Sequence, residues 1–232
     1  MRHFIIRTHL ENDYIARLTY ESLKLVESDD IMYHFAIEEG ETDYKFLSEP
    51  QENYIIRQNL NKNNFGGGSG VRAQLDLITK CNIDDGDEVI ISDSDIILYK
   101  DPFDIFSGKG IDHGGLGAPS PWSKIPNGET VPDVGSEIKA ISGQLVYYSS
   151  EYFNFWKSSP SLIEELIWEL DKIHDVADDT LNSYLSDKFK FNKMMIPSSC
   201  GLWSHKKVHD EFYPRTDWKN IVKEICKKYD DQ

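Results

Sequence analysis

Glu88-Val89-Ile90-Ile91-Ser92 has the pattern of a buried strand, and Ile96-Ile97-Leu98 is a second apolar run just beyond it. Between them stands Asp93-Ser94-Asp95. Two carboxylates wedged between apolar segments are costly unless something neutralises them. Along an extended segment side chains alternate, so Asp93 and Asp95 are expected to share a side. Hard oxygen ligands at a strand end suit Mg²⁺ or Mn²⁺ and leave room for phosphate oxygens. The spacing alone carries little in so acidic a chain: Asp85-Gly86-Asp87 repeats it in a polar turn, where solvation suffices to explain it. The flanking apolar runs are what set the second pair apart.

The segments around this strand point to an α/β fold. An apolar strand is expected at residues 4–7, then a helix capped by Asn12 or Asp13 with Ile15, Leu18, Leu23 and Val26 as its stripe, then a strand at 32–37. Strand, helix, strand implies parallel pairing. A polar, Gly-rich loop at 61–70 leads into a helix at 71–80, directly before the carboxylate strand. Residues 107–136 are dominated by Gly and Pro and read as a long loop, functional or mobile. Strands are expected at 138–141 and 145–148, and helices at 161–173, 179–185 and 217–229. With no repeat and no linker, the 232 residues read as one domain, 1–232.

Charge narrows the partners. Against 40 Asp+Glu stand 25 Lys+Arg, a formal net charge of −15, which repels nucleic-acid backbones and anionic lipid. No nucleic-acid partner is expected. No apolar run approaches the roughly 20 residues of a membrane span, and residues 1–7 lack a signal-peptide core. Three scattered cysteines argue against a disulfide framework. The expected location is the cytoplasm.

Asp93-Ser94-Asp95 followed by Asp101-Pro102-Phe103 resembles the centre of GT-A-fold, metal-dependent glycosyltransferases, of the compact soluble type found in bacteria and large viruses. Further stretches fit the same order: Gly143-Gln144-Leu145-Val146-Tyr147-Tyr148 with Tyr152, Phe153 and Trp156, then Asp178-Asp179-Thr180-Leu181-Asn182, then Leu202-Trp203-Ser204-His205-Lys206-Lys207. The resemblance implies a GT-A-like (Rossmann-like) α/β fold, a central mostly parallel sheet flanked by helices. It implies a donor-binding half at about 1–105 and an acceptor-binding half at about 106–232. The implied activity is transfer of a sugar from a nucleotide sugar, a UDP-sugar above all, to a hydroxyl of a glycan or glycoconjugate, with Mn²⁺ or Mg²⁺. Asp93, Asp95 and His205 would hold the metal. Thr8, Arg72, Ser94, Gly143, Gln144 and Lys207 would contact substrate, and Asp179 with Asp178 would stand at the reacting sugar carbon. Retention or inversion of configuration stays open.

Two alternatives belong to other classes. A haloacid-dehalogenase-type phosphatase would use Asp93 as nucleophile and Asp178-Asp179 for Mg²⁺, although that motif normally opens its fold. A non-catalytic carbohydrate-binding domain would need no metal. Gly68-Ser69-Gly70-Val71-Arg72-Ala73 fits a dinucleotide fingerprint but follows no apolar strand, so dinucleotide binding is not expected. Trp122, Trp156, Trp168 and Trp203 are expected mostly in the core, with Trp122 also placed to stack on a sugar.

Overall fold

The computed structural model describes residues 1–26, 31–38, 43–47, 54–60, 69–98, 100–118, 140–171, 178–196, 201–203 and 205–229. The short apolar segments become the strands of a seven-stranded sheet: β1 (Arg2–Arg7), β2 (Ile31–Glu38), β3 (Tyr54–Leu60), β4 (Glu88–Asp93), β6 (His113–Ala118), β7 (Ala140–Tyr148) and β8 (Lys193–Ile196). Their order is β3-β2-β1-β4-β7-β6-β8. Every pairing is parallel except those of β7, which alone runs backwards between β4 and β6. A separate ribbon pairs β5 (Ile96–Leu98) antiparallel with β9 (Gly201–Trp203).

Strand alternation feeds two cores. Phe4 and Ile6 of β1, Ile90 of β4, and Leu145 and Tyr147 of β7 face one layer, with α1 (Asp13–Val26) and α3 (Pro102–Phe106). Ile5, Val89, Ile91, Val146 and Tyr148 face the other, covered by α2 (Ser69–Lys80), α4 (Ser150–Ser158), α5 (Pro160–Asp171) and α6 (Asp178–Phe189). Each such aliphatic or aromatic side chain, fully enclosed, contributes about 1.5–3 kcal/mol. A third cluster joins α1 to α7 (His205–Phe212) and α8 (Trp218–Tyr229), with Ile15 and Leu18 against Ile221 and Ile225. Lys219, Lys223 and Lys227 face solvent.

Several expectations are corrected. The two strands expected at 138–141 and 145–148 are one continuous β7. The stretch 107–136 is not all loop: 113–118 form β6, inside the sheet, while 119–136 lie outside the described residues. The glycines of β6 answer to packing. A Cβ on Gly114 would collide with the Phe106 ring, and one on Gly115 with the Leu145 carbonyl. Asp101-Pro102-Phe103 is the entry to α3, Asp101 accepting from Phe103 N at 2.9 Å. Trp156 is fully buried, but Trp168 on α5 is 61% exposed. Trp122 lies outside the described residues, as does the loop 61–68. Among the described residues no helix is long and apolar enough to cross a membrane.

Candidate active site

The chain runs outward from β1 to β2 to β3, then returns on the other side of β1 as β4. In open α/β sheets ligands bind at the carboxyl ends of strands flanking such a reversal. The residues that close β1 and β4 here are Arg7 and Asp93, register partners in the parallel ladder.

Asp93 ends β4, Ser94 and Asp95 form a turn, and β5 starts at Ile96. The pair is therefore presented by a turn rather than by the extended segment expected from its flanks. Helix α1 holds this turn from below. Thr19 Oγ1 donates to the Ser94 carbonyl at 2.6 Å, and Leu98 N donates to Ser22 Oγ at 3.1 Å. Both hydroxyls are buried, so these bonds satisfy groups that would otherwise be costly. Ser94 itself is buried.

The two carboxylates have different surroundings. Arg7 Nη2 donates to Asp93 Oδ1 at 2.7 Å and to the Gly143 carbonyl at 2.8 Å, tying β1, β4 and β7 together. Asp95 Oδ1 is buried and meets no hydrogen-bond donor among the described residues. A desolvated carboxylate oxygen without a donor is destabilising, and it is the kind of hard ligand that Mn²⁺ or Mg²⁺ takes. On that observation the residues fit a divalent cation.

The other expected residues gather at the same edge to differing degrees. Thr8 follows Arg7, buried, its N–H donating to the Ala36 carbonyl at 2.9 Å. Gln144 is exposed, one residue before the Leu145 that pairs with Ser92. In the ribbon, Trp203 opposes Ile96, so His205, two residues on and first in α7, begins at the Asp95 end. The side chains of 205–207, Lys207 included, lie outside the described residues. Among the described residues no three His, Cys, Asp or Glu side chains converge on a metal position.

Helix α6 begins at Asp178, one residue before the expected start at 179, so Asp178 and Asp179 both lie in its first turn. Ile141 N donates to Ser183 Oγ at 3.1 Å, near Gly143, whereas Ser186 lies against His113 at the opposite edge. The helix therefore points its amino end, and the backbone of 178–179, toward the carboxyl edge. Their side chains lie outside the described residues. Asn182 of the same segment is structural: Tyr148 OH donates to its Oδ1 at 3.3 Å, and Tyr152 OH to its carbonyl at 3.0 Å.

Arg72 sits in the opening turns of α2, which runs down from this edge, but its Nε donates to Glu164 Oε1 of α5 at 2.9 Å. The bonded pair lines a groove of about 640 Å³ between α2 and α5. Arg7 was not among the residues the sequence marked, and its only signal is a charge closing an otherwise apolar strand. His3 and His34, away from this edge, are core groups: His3 Nδ1 lies 2.8 Å from His34 Nε2, and His3 Nε2 3.0 Å from Asp87 Oδ2.

No protein-family model matches the chain, and no curated protein matches it in sequence. Its structure is similar to that of an active-site mutant of LgtC, with TM-score 0.61 and 11% identity over 85% of this chain and 73% of that one. The galactosyltransferase LgtC, solved in complex with donor and acceptor sugar analogs, superposes with TM-score 0.59 and 11% identity over 95% of this chain and 82% of that one. The apo form of the glycosyltransferase GlyE of Streptococcus pneumoniae TIGR4 gives TM-score 0.60 and 14% identity over 98% of this chain. The chain spans 63% of GlyE. The fold is thus the GT-A fold of these glycosyltransferases.

Proposed function

We propose that this chain transfers a sugar from a nucleotide-sugar donor, a UDP-sugar, to a hydroxyl of a glycan or glycoconjugate, with Mn²⁺ or Mg²⁺ as cofactor. The observation that carries the reading is the Asp93-Ser94-Asp95 turn at the reversal point of a GT-A sheet, with a buried Asp95 oxygen that meets no donor among the described residues. Asp95 is the main ligand in this reading, with Asp93 and His205 completing the set. When bound, the cation supplies Lewis-acid stabilisation of the charge that grows on the departing diphosphate.

The chain's own residues bind and orient. Thr8 stands where a base would lie against the end of β1. Ser94, Gly143 and Gln144 shape the floor beside the carboxylates, and Arg72 and Lys207 supply positive charge toward phosphate or sugar. Asp179, supported by Asp178, occupies the amino end of α6, where the helix favours the ionised carboxylate. As a base it would accept the acceptor's hydroxyl proton, a role worth about 10²–10⁴-fold. On the opposite face of the anomeric carbon it would stabilise or attack an oxocarbenium-like centre. The donor-binding half would be about 1–105 and the acceptor-binding half about 106–232.

Calorimetric titration of UDP and a panel of UDP-sugars, with Mn²⁺ and with EDTA, tests the reading. Binding at least about tenfold tighter with Mn²⁺, and lost in Asp95→Asn, is the expected result. Equal affinity in EDTA removes the metal. Sugar binding that needs neither nucleotide nor metal turns the chain into a carbohydrate-binding domain. Rapid hydrolysis of p-nitrophenyl phosphate would favour the phosphatase, which the Arg7 bond to the would-be nucleophile Asp93 argues against.

A further inference from the structure

We infer that Arg7 is a positioning residue that sets the charge of the donor site, moderating its affinity for the cation and raising its affinity for the diphosphate. The inference rests on the metal-dependent reading above. Its starting point is one nitrogen with two bonds: Arg7 Nη2 lies 2.7 Å from Asp93 Oδ1 and 2.8 Å from the Gly143 carbonyl. The guanidinium is mostly enclosed, with 11% of its side chain exposed, whereas the Asp93 side chain is 38% exposed. The bond fixes Asp93 through Oδ1, on the side where β1 meets β4. Arginine stays protonated at any working pH, so this charge is permanent.

The consequence is arithmetic. Asp93 and Asp95 alone carry two negative charges, which a divalent cation would just cancel. With Arg7 bonded to Asp93 the three side chains sum to one negative charge. The same cation then leaves this group of three with one net positive charge where phosphate oxygens must come. The cost falls on the metal, since a fixed positive charge nearby repels it. A single charge a few ångströms away, at an effective dielectric of about 20, shifts an affinity by tenfold or more. The division of labour between the carboxylates follows: Asp93 is committed to Arg7, and Asp95, with its buried oxygen, binds the cation more strongly. The same two bonds also join the ends of β1, β4 and β7, so Arg7 fixes the orientation of Asp93 as well as its charge.

Arg7→Gln keeps a side-chain N–H for Asp93 or Gly143 and removes the charge, and Arg7→Lys keeps the charge and gives up the planar fork. Two binding readouts separate a charge role from a scaffold role. Mn²⁺ titrated alone, followed by the paramagnetic broadening of water protons, should bind Arg7→Gln about tenfold or more tighter than the parent. UDP titrated at saturating Mn²⁺ should bind the same variant about tenfold or more weaker. Arg7→Lys should stay near the parent in both. The melting temperature gives a third readout: added Mn²⁺ should raise it more in Arg7→Gln than in the parent, because the cation replaces the charge that Asp93 has lost. Mn²⁺ affinity that is unchanged or lower in Arg7→Gln overturns the inference. So does loss of Mn²⁺ and UDP binding together in both variants, the signature of a scaffold residue. If Arg7→Gln does not fold, Arg7→Met takes its place: tighter Mn²⁺ and weaker UDP binding support the charge role, and Mn²⁺ binding at or below the parent's overturns it. A parent that binds no Mn²⁺ overturns the metal-site reading and this inference with it, whereas a parent that binds Mn²⁺ and UDP while the charge-removing variant matches it overturns this inference alone.

Discussion

His113 is enclosed where β6 meets α6, and its proton positions can be read from its neighbours. Ser186 Oγ donates to the Asn182 carbonyl at 2.9 Å, so its one proton is committed, and His113 Nδ1, 2.6 Å away, must be the donor of that pair. Nε2 is buried and meets no partner among the described residues. Burial pushes the imidazole pKa down to about 3, with the Lys193 ammonium acting in the same direction. The unfolded chain titrates this group near 6.5, so between pH 6.5 and 3 the unfolded state holds the extra proton. The contribution of His113 to stability is therefore complete above pH 6.5 and is lost as the pH falls toward 3, at up to about 1.4 kcal/mol per pH unit. In His113→Asn, whose amide can replace the Nδ1 donor, that component of the slope should vanish. Urea unfolding of both proteins at pH 6, 5 and 4 checks it, and parallel pH dependences would show that the imidazole gains a proton inside the fold. At this scale the sequence is legible where a residue violates its surroundings. Asp93 and Asp95 stand out because apolar runs flank them on both sides. Arg7 is illegible because its partner is 86 positions away, and an arginine at a strand end looks the same whether it meets water or a carboxylate.

Among the elements, β6 shows how packing can imitate a loop. His113-Gly114-Gly115-Leu116-Gly117-Ala118 has little strand propensity, yet it lies between β7 and β8. Phe106 supplies the reason: its ring stacks on Tyr147 at 5.0 Å and occupies the space over Gly114. Gly114→Ala should cost about 1–3 kcal/mol through overpacking. The cost should shrink when Phe106→Leu is combined with it, because the two positions share one space. Denaturant melts of the single and double variants measure the coupling, and additive effects would mean that the ring yields freely to the methyl. Elements with strong periodicity were legible from the chain. β1, α1, β2, α2, β4 and α8 fall within a few residues of expectation. The three-residue strands β5 and β9 were not, because neither is long enough to show a period and each needs a partner about 100 residues distant. Yet this ribbon brings the start of α7 back to the Asp95 end of the turn. Likewise the helix that starts at Asp178 is expected one residue later, since Asp favours both the cap and the first turn.

For the whole molecule, chain reversal concentrates chemistry at one edge. β1, β2, β3 and β4 all end there, β7 starts there, and α2, α6 and α7 all begin toward it. The opposite edge is closed by protein bonds instead: Glu88 N donates to the Met1 carbonyl at 3.1 Å, Ser149 N to the Asp112 carbonyl at 2.9 Å, and Asp112 N to the Asn192 carbonyl at 2.9 Å. These backbone groups bond to one another, whereas at the carboxyl edge a buried Asp95 oxygen meets no donor among the described residues. Binding of UDP with Mn²⁺ should therefore be felt asymmetrically. Any ligand that binds only the folded chain raises its global stability, so amides that exchange through complete unfolding slow everywhere. Amides at strand ends and turns exchange through local opening and report the site itself. Those of residues 93–95, 143–145 and the first turn of α7 should slow on addition of UDP with Mn²⁺, and UDP with EDTA should leave them near their free rates. The turns at 84–87 and 108–112, on the far edge, should exchange as before in both conditions. Hydrogen exchange read by mass spectrometry on short peptides resolves these segments. Protection at 84–87 or 108–112 that exceeds protection at 93–95 would move the nucleotide to the other edge, and the Asp93-Ser94-Asp95 turn would lose its claim to the donor.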